Sequence, residues 1–443
     1  MKLVRFFYVP VVSLALAASS FAAAPAAPLP VPDQLDLQTA IGFAVENNFA
    51  IRQARERIRQ QEGIVLEVKA RAIPNVAGSA DYQINHREIS NGFPPSHTAW
   101  AVTVAASQTV FAGGGVRSSV KSSRLAREAA ELDLKGVIND ALLSVRTAFF
   151  NVLLSREQIK VQESNLELLQ QQLKTTTDRF EAGTVSSFER LRAEVAVANA
   201  KVPLITARND YRLAIESLRH ALGFTTDRAS ITKIPDFIGT LAYTPVNFDL
   251  VSSFQAAHIN RPDLQRLEKL VAAREQLVTA ARADYYPNVA VVAGWQLRKG
   301  SSTSFNDSNE GAFAGLQGQW AIFDGRATAG RVVQAKSLQE QSRLALSEAQ
   351  LAAEVEVRRA FSSWQQATEL ADASQKVVAQ AEEAVRLANA RYSAGTSTQL
   401  DVLQVQVELT TARTNQIQAY YSYNVAVAAL RRATGLADEF VTH

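Results

Sequence analysis

Two short stretches of the chain, 212 residues apart, share one turn-forming core. The first is FEAGTVSSFERL, residues 180–191, and the second is YSAGTSTQLDVL, residues 392–403. In both, an aromatic residue and one further residue precede Ala-Gly-Thr, and Gly183 and Gly395 suit the left-handed position that ends a helix. A new helical pattern begins a few residues later, so each stretch predicts a helical hairpin.

The shared turn belongs to a longer internal repeat. Identical residues recur at the same separation: Phe111 and Phe323, Tyr211 and Tyr423, Ala214 and Ala426, Leu218 and Leu430, Gly223 and Gly435. Repetition at a fixed offset indicates duplication of one structural unit. We therefore predict a first repeat at residues 23–223, a connection at 224–248, a second repeat at 249–435 and a tail at 436–443.

Each repeat is predicted to contain a helix, two strands, a very long helix and a returning helix. The first helices are expected at about 37–72 and 249–284, and the long helices at about 116–181 and 328–393. A helix of that length reaches about 100 Å. The returning helices carry small apolar residues at heptad spacing, which predicts close packing against neighbouring helices. The first helix and the returning helix together are about as long as the long helix, so we expect them to lie end to end.

The two strands of each repeat show a period of two. We expect strands at about 75–85, 98–110, 288–298 and 312–323. Such strands occur both in outer-membrane barrels and in half-buried soluble sheets. Four strands cannot close on themselves in lipid, so a membrane barrel requires several copies of the chain. Four aromatic residues are candidates for an interfacial girdle, with ordinary sheet packing as the alternative: Tyr82, Trp100, Trp295 and Trp320.

The N-terminus predicts export of the chain. Lys2 and Arg5, an apolar run at 9–18 and small residues near Ala22 fit a secretory signal peptide at residues 1–22. No later run is long and apolar enough to predict a membrane-spanning helix. The 46 basic and 43 acidic residues nearly balance, which gives no electrostatic case for a nucleic-acid partner.

The inventory of reactive residues argues against an enzyme. The chain contains no cysteine, which excludes disulfides and thiolate metal sites. Its five histidines show no metal-ligand spacing, and no nucleophile motif or phosphate-binding loop is present. We therefore expect no catalytic residue, no cofactor and no metal.

Taken together, these motifs resemble the TolC-like outer-membrane factor family, the exit ducts of Gram-negative efflux and type I secretion systems. The residues that carry the resemblance are LDLQTAIGFAVENNFAIRQAR at 35–55, the two Pro-Asn-Val strand entries, the paired Ala-Gly-Thr turns and RYSAGTSTQLDVLQVQVELTTAR at 391–413. Their order, duplicated at one offset, makes the resemblance specific.

The resemblance implies a homotrimer in outer-membrane lipid. Its four strands per chain form a twelve-stranded barrel, continued into the periplasm by a twelve-helix barrel that narrows to a gated tip. The implied partners are a periplasmic adaptor protein and an inner-membrane transporter. The exported substrate is not readable from the chain.

The Ala-Gly-Thr turns, with Thr184 and Thr396, then correspond to the periplasmic tip. The resemblance assigns Asp401 to an acidic ring in the pore, whereas Gln404 stands where a second aspartate is often found. Glu189 occupies the equivalent place in the first repeat, and Ser397 stands where some relatives have an arginine that pairs with this acid. The chain therefore lacks, at this position, the arginine that takes part in the ionic lock of those relatives.

A simpler role for both acids is helix capping. Ser186-x-x-Glu189 and Thr398-x-x-Asp401 fit the capping box, in which an acid three residues after Ser or Thr bonds back to the cap. Capping alone and capping with a pore role remain equally open for Asp401, and capping is favoured for Glu189. For the whole chain, the rival hypothesis is a periplasmic coiled-coil scaffold or adaptor without a membrane barrel.

Overall fold

The computed structural model describes residues 34–84, 98–224, 235–300 and 304–436. The predicted signal peptide, the loop of the first strand pair and nearly all of the tail lie outside these residues. The first repeat contains β1 (Gln34–Leu35), α1 (Leu37–Asn47), α2 (Phe49–Ala70), β2 (Asn75–Ile84), β3 (Thr98–Ala112), α3 (Gly115–Glu181) and α4 (Ser187–Leu222). After β4 (Asp236–Phe237), the second contains α5 (Leu250–Asn260), α6 (Pro262–Arg282), β5 (Asn288–Lys299), β6 (Ser308–Gln319), α7 (Ala327–Ser393) and α8 (Gln399–Thr434).

The helix lengths confirm the predicted duplication. The long helices α3 and α7 each contain 67 residues, and the returning helices α4 and α8 each contain 36. The heptad positions of the returning helices are mostly buried, as predicted, and small side chains allow the close approach. In α8 the buried members include Leu409, Ala412, Ala419, Tyr423, Ala426 and Leu430.

The prediction of one continuous helix at the start of each repeat is wrong. In the first repeat the helix breaks at Asn48, whose side-chain oxygen accepts hydrogen bonds from the N–H groups of Ala50 and Ile51 and so caps α2. In the second repeat the break falls at Arg261, because the residue before Pro262 is disfavoured in a helix. The prediction followed the apolar pattern, which continues across both breaks, and did not use Pro262 as a stop signal.

These breaks are the places where short helices meet end to end. The side-chain amide of Asn48 donates a hydrogen bond of 2.7 Å to the carbonyl of Ala221 in the last turn of α4. Gly223 follows with φ +76°, and a Cβ there would lie 2.5 Å from the carbonyl oxygen of Asn47. The end of α8 meets the break at Arg261 in the same way, at Gly435. The predicted end-to-end arrangement is therefore present in both repeats.

The helices form a layer in which α3 is an inner helix along its whole length. Near the sheet, α3 lies between α2 and α6, and α7 lies beyond α6. Toward the hairpin ends, α3 lies between α4 and α8, with α7 beyond α8. The layer is thus four helices wide at both levels.

A belt of apolar residues lies across the middle of the layer. Within it, β1 and α1 pack against α3 and α4 through Leu35, Ile41, Phe149 and Leu218, all nearly inaccessible. The connection between repeats is fixed by Tyr423, whose hydroxyl donates to the carbonyl of Thr244 and accepts from the N–H of Val246, both at 2.8 Å.

One described helix, α3, is by length and composition apolar enough to cross a membrane. Its apolar residues Leu142, Val145, Val152 and Leu153 are buried in the belt core. This packing accounts for the hydropathy of α3 without a membrane.

The four long strands form one antiparallel sheet in the order β2-β3-β5-β6. Every residue of β2 and of β6 is exposed, and none of the residues of β3 or β5 is buried. In the described part of the chain, no helix packs across either face of this sheet. One protomer therefore leaves both faces and both edges of the sheet uncovered.

The fourth strand differs from its predicted position at about 312–323. It runs from Ser308 to Gln319, so Trp320 and Ile322 lie beyond its end. The reason is its partner: β5 begins at Asn288, directly after Pro287, and Asn288 already pairs with Gln319. Residues after Gln319 have no strand to pair with, although their apolar alternation continues.

Candidate functional site

The two Ala-Gly-Thr turns have the same geometry, and we call the hairpin ends at residues 182–186 and 394–398 the tips. Gly183 and Gly395 have φ angles of +71° and +73°, the left-handed conformation predicted for them. The N–H of Thr184 donates 2.9 Å to the carbonyl of Arg179, and the N–H of Thr396 donates 2.9 Å to that of Arg391. These bonds close each long helix as a Schellman motif.

The returning helices are capped differently. At the second tip, the hydroxyl of Thr398 accepts from the N–H of Asp401 at 3.3 Å, and the Asp401 carboxylate accepts from the N–H of Thr398 at 2.8 Å. This is the complete capping box predicted there. At the first tip, the hydroxyl of Ser186 accepts from the N–H of Glu189 at 3.4 Å. In the described structure the Glu189 carboxylate returns no bond to Ser186, so the predicted box is only half formed.

The capping bonds favour the ionised form of Asp401. Hydrogen bonds from the backbone N–H and then the hydroxyl of Thr398 hold the pKa of its carboxyl below the ordinary value of 3.8. The carboxyl is fully exposed, so it carries a full negative charge toward solvent at neutral pH. Capping and a role in a pore are compatible in this geometry, because the bonds to Thr398 favour the charged form.

The other tip candidates lie around Asp401 without joining it. Gln404 is exposed, and its side-chain amide donates 3.4 Å to Glu408 one turn later. The hydroxyl oxygen of Ser397 is buried without a hydrogen-bond partner among the described residues. Glu189 lies on the other hairpin, and no described hydrogen bond or ion pair connects it to Asp401.

Two contacts between the hairpins were not predicted from the sequence. Gln399, only 4% exposed, donates from its amide nitrogen to the hydroxyl of Thr176 at 3.1 Å, joining α8 to α3. The guanidinium of Arg179 lies 4.7 Å from the ring centroid of Tyr392, joining the ends of α3 and α7. Cation–π contacts of this kind are worth about 0.5–1 kcal/mol at exposed sites.

A sequence signal existed for only one of these contacts. The Arg-aromatic pair before each turn is repeated, as Arg179 with Phe180 and Arg391 with Tyr392, and this marks a position with a shared structural role. Gln399 has no such counterpart, because Ser187 stands at the matching position. A buried glutamine facing another helix leaves no pattern along its own helix.

The predicted girdle aromatics lie at three levels of the sheet. Tyr82 and Trp100 are paired across β2 and β3 at the loop end, where the indole N–H of Trp100 donates 3.2 Å to the carbonyl of Phe305. Trp295 lies between the ends, opposite Val104. Trp320 lies at the helical end, where its indole N–H donates 3.2 Å to the carbonyl of Tyr285.

Comparison with known proteins identifies the family. The family described as outer membrane efflux protein matches residues 40–224 and 254–436. The chain is 25% identical to Protein CyaE of Bordetella pertussis over 422 residues, which is 93% of this chain and 88% of that protein. It is 25% identical to Outer membrane protein TolC of Escherichia coli over 391 residues, or 84% and 76% of the two chains.

Solved structures agree in fold. The outer membrane protein VceC of Vibrio cholerae superimposes with a TM-score of 0.77 at 18% identity, covering 90% of this chain and 96% of that one. The mainly helical fold with its small sheet is thereby confirmed. The chain belongs to the outer membrane efflux protein family and is located in the outer membrane, with its helices extending into the periplasm.

Proposed function

We propose that three copies of this chain form a passive exit duct that spans the outer membrane and receives its cargo from a tripartite efflux or type I secretion system. The family is one of transport proteins, which supports an export role rather than catalysis. The proposal includes three specific features: the chain forms a trimer, the trimer is gated at its tips, and it works with partner proteins.

The observation that carries the proposal is the uncovered sheet. Open strand edges and unsatisfied backbone groups are not tolerated in lipid, so β2 and β6 must pair with neighbouring copies. Neighbouring strands are antiparallel throughout β2-β3-β5-β6, so β6 of one copy and β2 of the next also run antiparallel. Three copies give about twelve strands, within the known range for outer-membrane barrels.

The height of the sheet fits a membrane. About eleven residues separate the level of Trp100 from the helical end of β3, or roughly 37 Å along the strand. At the usual tilt of about 35–45°, this corresponds to roughly 28 Å, close to the apolar band of about 25 Å in outer-membrane barrels. Trp100 with Tyr82 and Trp320 then lie near the two interfaces, whereas Trp295 lies between them, so we propose the girdle for the first three only.

The partner proposal rests on the tips. Large apolar side chains are exposed in the first turns of α4, directly after the first tip, including Phe188 at 68% and Leu191 at 57%. Exposed apolar groups close together mark a protein-interaction surface. We propose that the periplasmic adaptor docks here and connects the duct to the inner-membrane transporter.

Cysteine labelling tests the location of the sheet, because the chain has no native cysteine. Asn306→Cys places a thiol in the loop between β5 and β6, and Thr396→Cys places one at the second tip. A membrane-impermeant maleimide is expected to label the first variant in intact cells and the second only after lysis. Labelling of both variants only after lysis would instead favour the periplasmic scaffold.

Charge at the second tip is expected to affect ion selectivity. Three symmetry-related Asp401 carboxylates near an axis would favour cations, because fixed negative charge lowers the energy of a cation in a pore. Asp401→Asn should therefore reduce the cation-to-anion permeability ratio of single channels, most clearly at low salt. Glu189→Gln is the matched control and should leave the ratio nearly unchanged. Equal ratios in Asp401→Asn and the parent would exclude the pore role and leave capping alone.

A further inference from the structure

A groove with a concentration of positive charge lies where the sheet meets the helices of the first repeat. It has a volume of about 760 Å³ and runs between the end of α2 and the start of α3, beneath the end of β3. Its four cations are Lys69 on α2 and Arg117, Lys121 and Arg124 on α3. We call it the basic groove.

The charge of the basic groove is not neutralised by the chain. Within the described residues, none of its four cationic side chains forms an ion pair or a side-chain hydrogen bond. Glu128, one turn after Arg124 on α3, is engaged elsewhere and binds Lys269 at 2.7 Å. Four cations gathered without a counter-charge favour an anionic ligand.

The basic groove also has an apolar side. Val110 and Phe111, at the end of β3, line it and are 58% and 47% exposed. A small hydrophilic anion would leave these side chains in water. A ligand with a negative headgroup and a hydrocarbon part would satisfy the cations and cover the apolar residues at once.

The orientation of α3 places the basic groove on the outside of the duct. Val145, Phe149 and Val152 of α3 are buried beneath α1 in the apolar belt. Four heptads earlier, the equivalent positions hold the three basic residues of α3. A straight α-helix would turn these positions by about 80° over four heptads, whereas the supercoiled helices of the proposed helical barrel keep heptad-equivalent positions on one face. In the proposed duct the cations therefore lie on the face of α3 that carries the belt, which is the outer surface.

We propose that the basic groove binds the phosphate headgroup of an anionic phospholipid from the periplasmic leaflet of the outer membrane, with its hydrocarbon chains against Val110 and Phe111. This inference rests on the proposed barrel, since it requires the sheet to lie in the bilayer directly above the groove. Clusters of basic residues next to membrane-spanning segments attract anionic lipids by about 1 kcal/mol per cation. The site fixes the depth of the duct in the membrane.

The second repeat offers an internal control. At the offset of 212 residues, Arg117, Lys121 and Arg124 correspond to Ala329, Val333 and Lys336. One exposed cation therefore replaces three, and the site occurs once per chain. Lys336→Gln removes a positive charge at the matching position of the other repeat, without touching the basic groove.

Native mass spectrometry of the detergent-purified full chain tests the proposal. The protein is titrated with phosphatidylglycerol, with zwitterionic phosphatidylethanolamine as the lipid control and excess inorganic phosphate as a competitor. The triple variant Arg117→Gln, Lys121→Gln, Arg124→Gln should bind phosphatidylglycerol about 100-fold more weakly, at about fivefold per charge. Lys336→Gln should bind within about twofold of the parent, since its charge lies outside the groove. Arg117, Lys121, Arg124 and the control residue Lys336 are all exposed, and none forms an ion pair among the described residues, so the variants should fold as the parent does.

The outcomes separate this inference from the proposed duct. Preferential binding of phosphatidylglycerol that the triple variant loses, and that inorganic phosphate does not displace, would support it. Equal binding of the two lipids, equal binding by the triple variant, or displacement by inorganic phosphate would overturn the lipid site. The same spectra report the oligomeric state, so trimers without lipid discrimination would reject the lipid site alone. Absence of trimers would reject the duct as well.

Discussion

Ala314→Pro is expected to lower the yield of detergent-stable trimers by about tenfold or more. Ala314 lies in the middle of β6, the edge strand proposed to pair with β2 of the next copy. Proline removes a backbone N–H and places its ring where the neighbouring strand would lie, which an unpaired edge tolerates and a paired strand does not. The substitution therefore distinguishes a free edge from a closed barrel.

The hairpin register shows that this substitution spares the protomer. The N–H of Gly300 donates 2.8 Å to the carbonyl of Asp307, so these two residues form a hydrogen-bonded pair. Hydrogen-bonded pairs alternate with non-hydrogen-bonded pairs along an antiparallel ladder. By this alternation, the pair of Ala293 with Ala314 is non-hydrogen-bonded, and the N–H of Ala314 points away from β5. The bonds between β5 and β6 are therefore retained in the variant.

Ala314→Val is the matched control, because it changes the side chain at the same position but keeps the N–H. Trimers of this variant should form as in the parent, since valine is favoured in strands. The yield is measured by native mass spectrometry or by size-exclusion chromatography with light scattering. If Ala314→Pro forms the same trimers as the parent, β6 is not the strand that joins neighbouring copies.

Arg261→Met is expected to lower the free energy of unfolding by about 2–3 kcal/mol. Removing one partner of a buried ion pair costs about 3–5 kcal/mol, because the remaining charge is left unpaired. We reduce that figure because the partners Asp263 and Glu356 keep 43% and 38% of their side-chain surface exposed. Methionine retains the apolar stem, so the loss reports the charge and the hydrogen bonds.

The structural reason is the position of Arg261 at the end-to-end junction of α8 with α6. Its guanidinium donates to Asp263 at 2.8 and 3.1 Å, to Glu356 at 2.7 Å and to the carbonyl of Ala433 at 3.1 Å. Arg432 also binds Glu356 and extends the network to Asp140. Arg261 thus holds the end of α8, the start of α6 and the middle of α7 together.

The loss of stability in Arg261→Met should depend on pH, because Asp263 is a titratable partner of Arg261. Burial opposes ionisation of this carboxyl, but the hydrogen bonds and charge of Arg261 outweigh burial and hold its pKa below 3.8. A carboxyl whose pKa is lower in the folded chain contributes stability above its unfolded pKa and loses that contribution as the pH falls through the folded value. The difference in free energy of unfolding between the parent and Arg261→Met should therefore have its full value at neutral pH and become smaller in strong acid.

Chemical denaturation of the two proteins in the same detergent measures the difference. Arg343→Met is the matched control, because the pair of Arg343 with Glu340 lies at 3.6 Å with both side chains more than half exposed. Exposed pairs of this kind contribute about 0–1 kcal/mol, so this variant should resemble the parent. An equal and small loss in both variants would show that the junction does not depend on Arg261.

The sequence by itself determined the features that rest on short-range chemistry. The two Ala-Gly-Thr turns, the caps at Ser186 and Thr398, and the bounds of the long helices follow from residues within one or two turns of each other. The duplication also determined the order of the elements, because a motif found in one repeat indicates the same element at the matching position of the other repeat. The complete box at Asp401 was predictable for the same reason, whereas its pore role depends on neighbouring copies and stays a prediction.

Tertiary structure decided what depends on distant partners. The break at Asn48 became visible only where the end of α4 meets it, because the apolar pattern runs through it, whereas Pro262 already marks the break at Arg261 in the sequence. The end of β6 was set by Pro287 on the neighbouring strand, not by its own alternation. The contact of Gln399 with Thr176 joins residues 223 positions apart. Local periodicity records which face of a helix is buried, but not which side chain on another helix lies opposite, and that choice is made only when the helices pack.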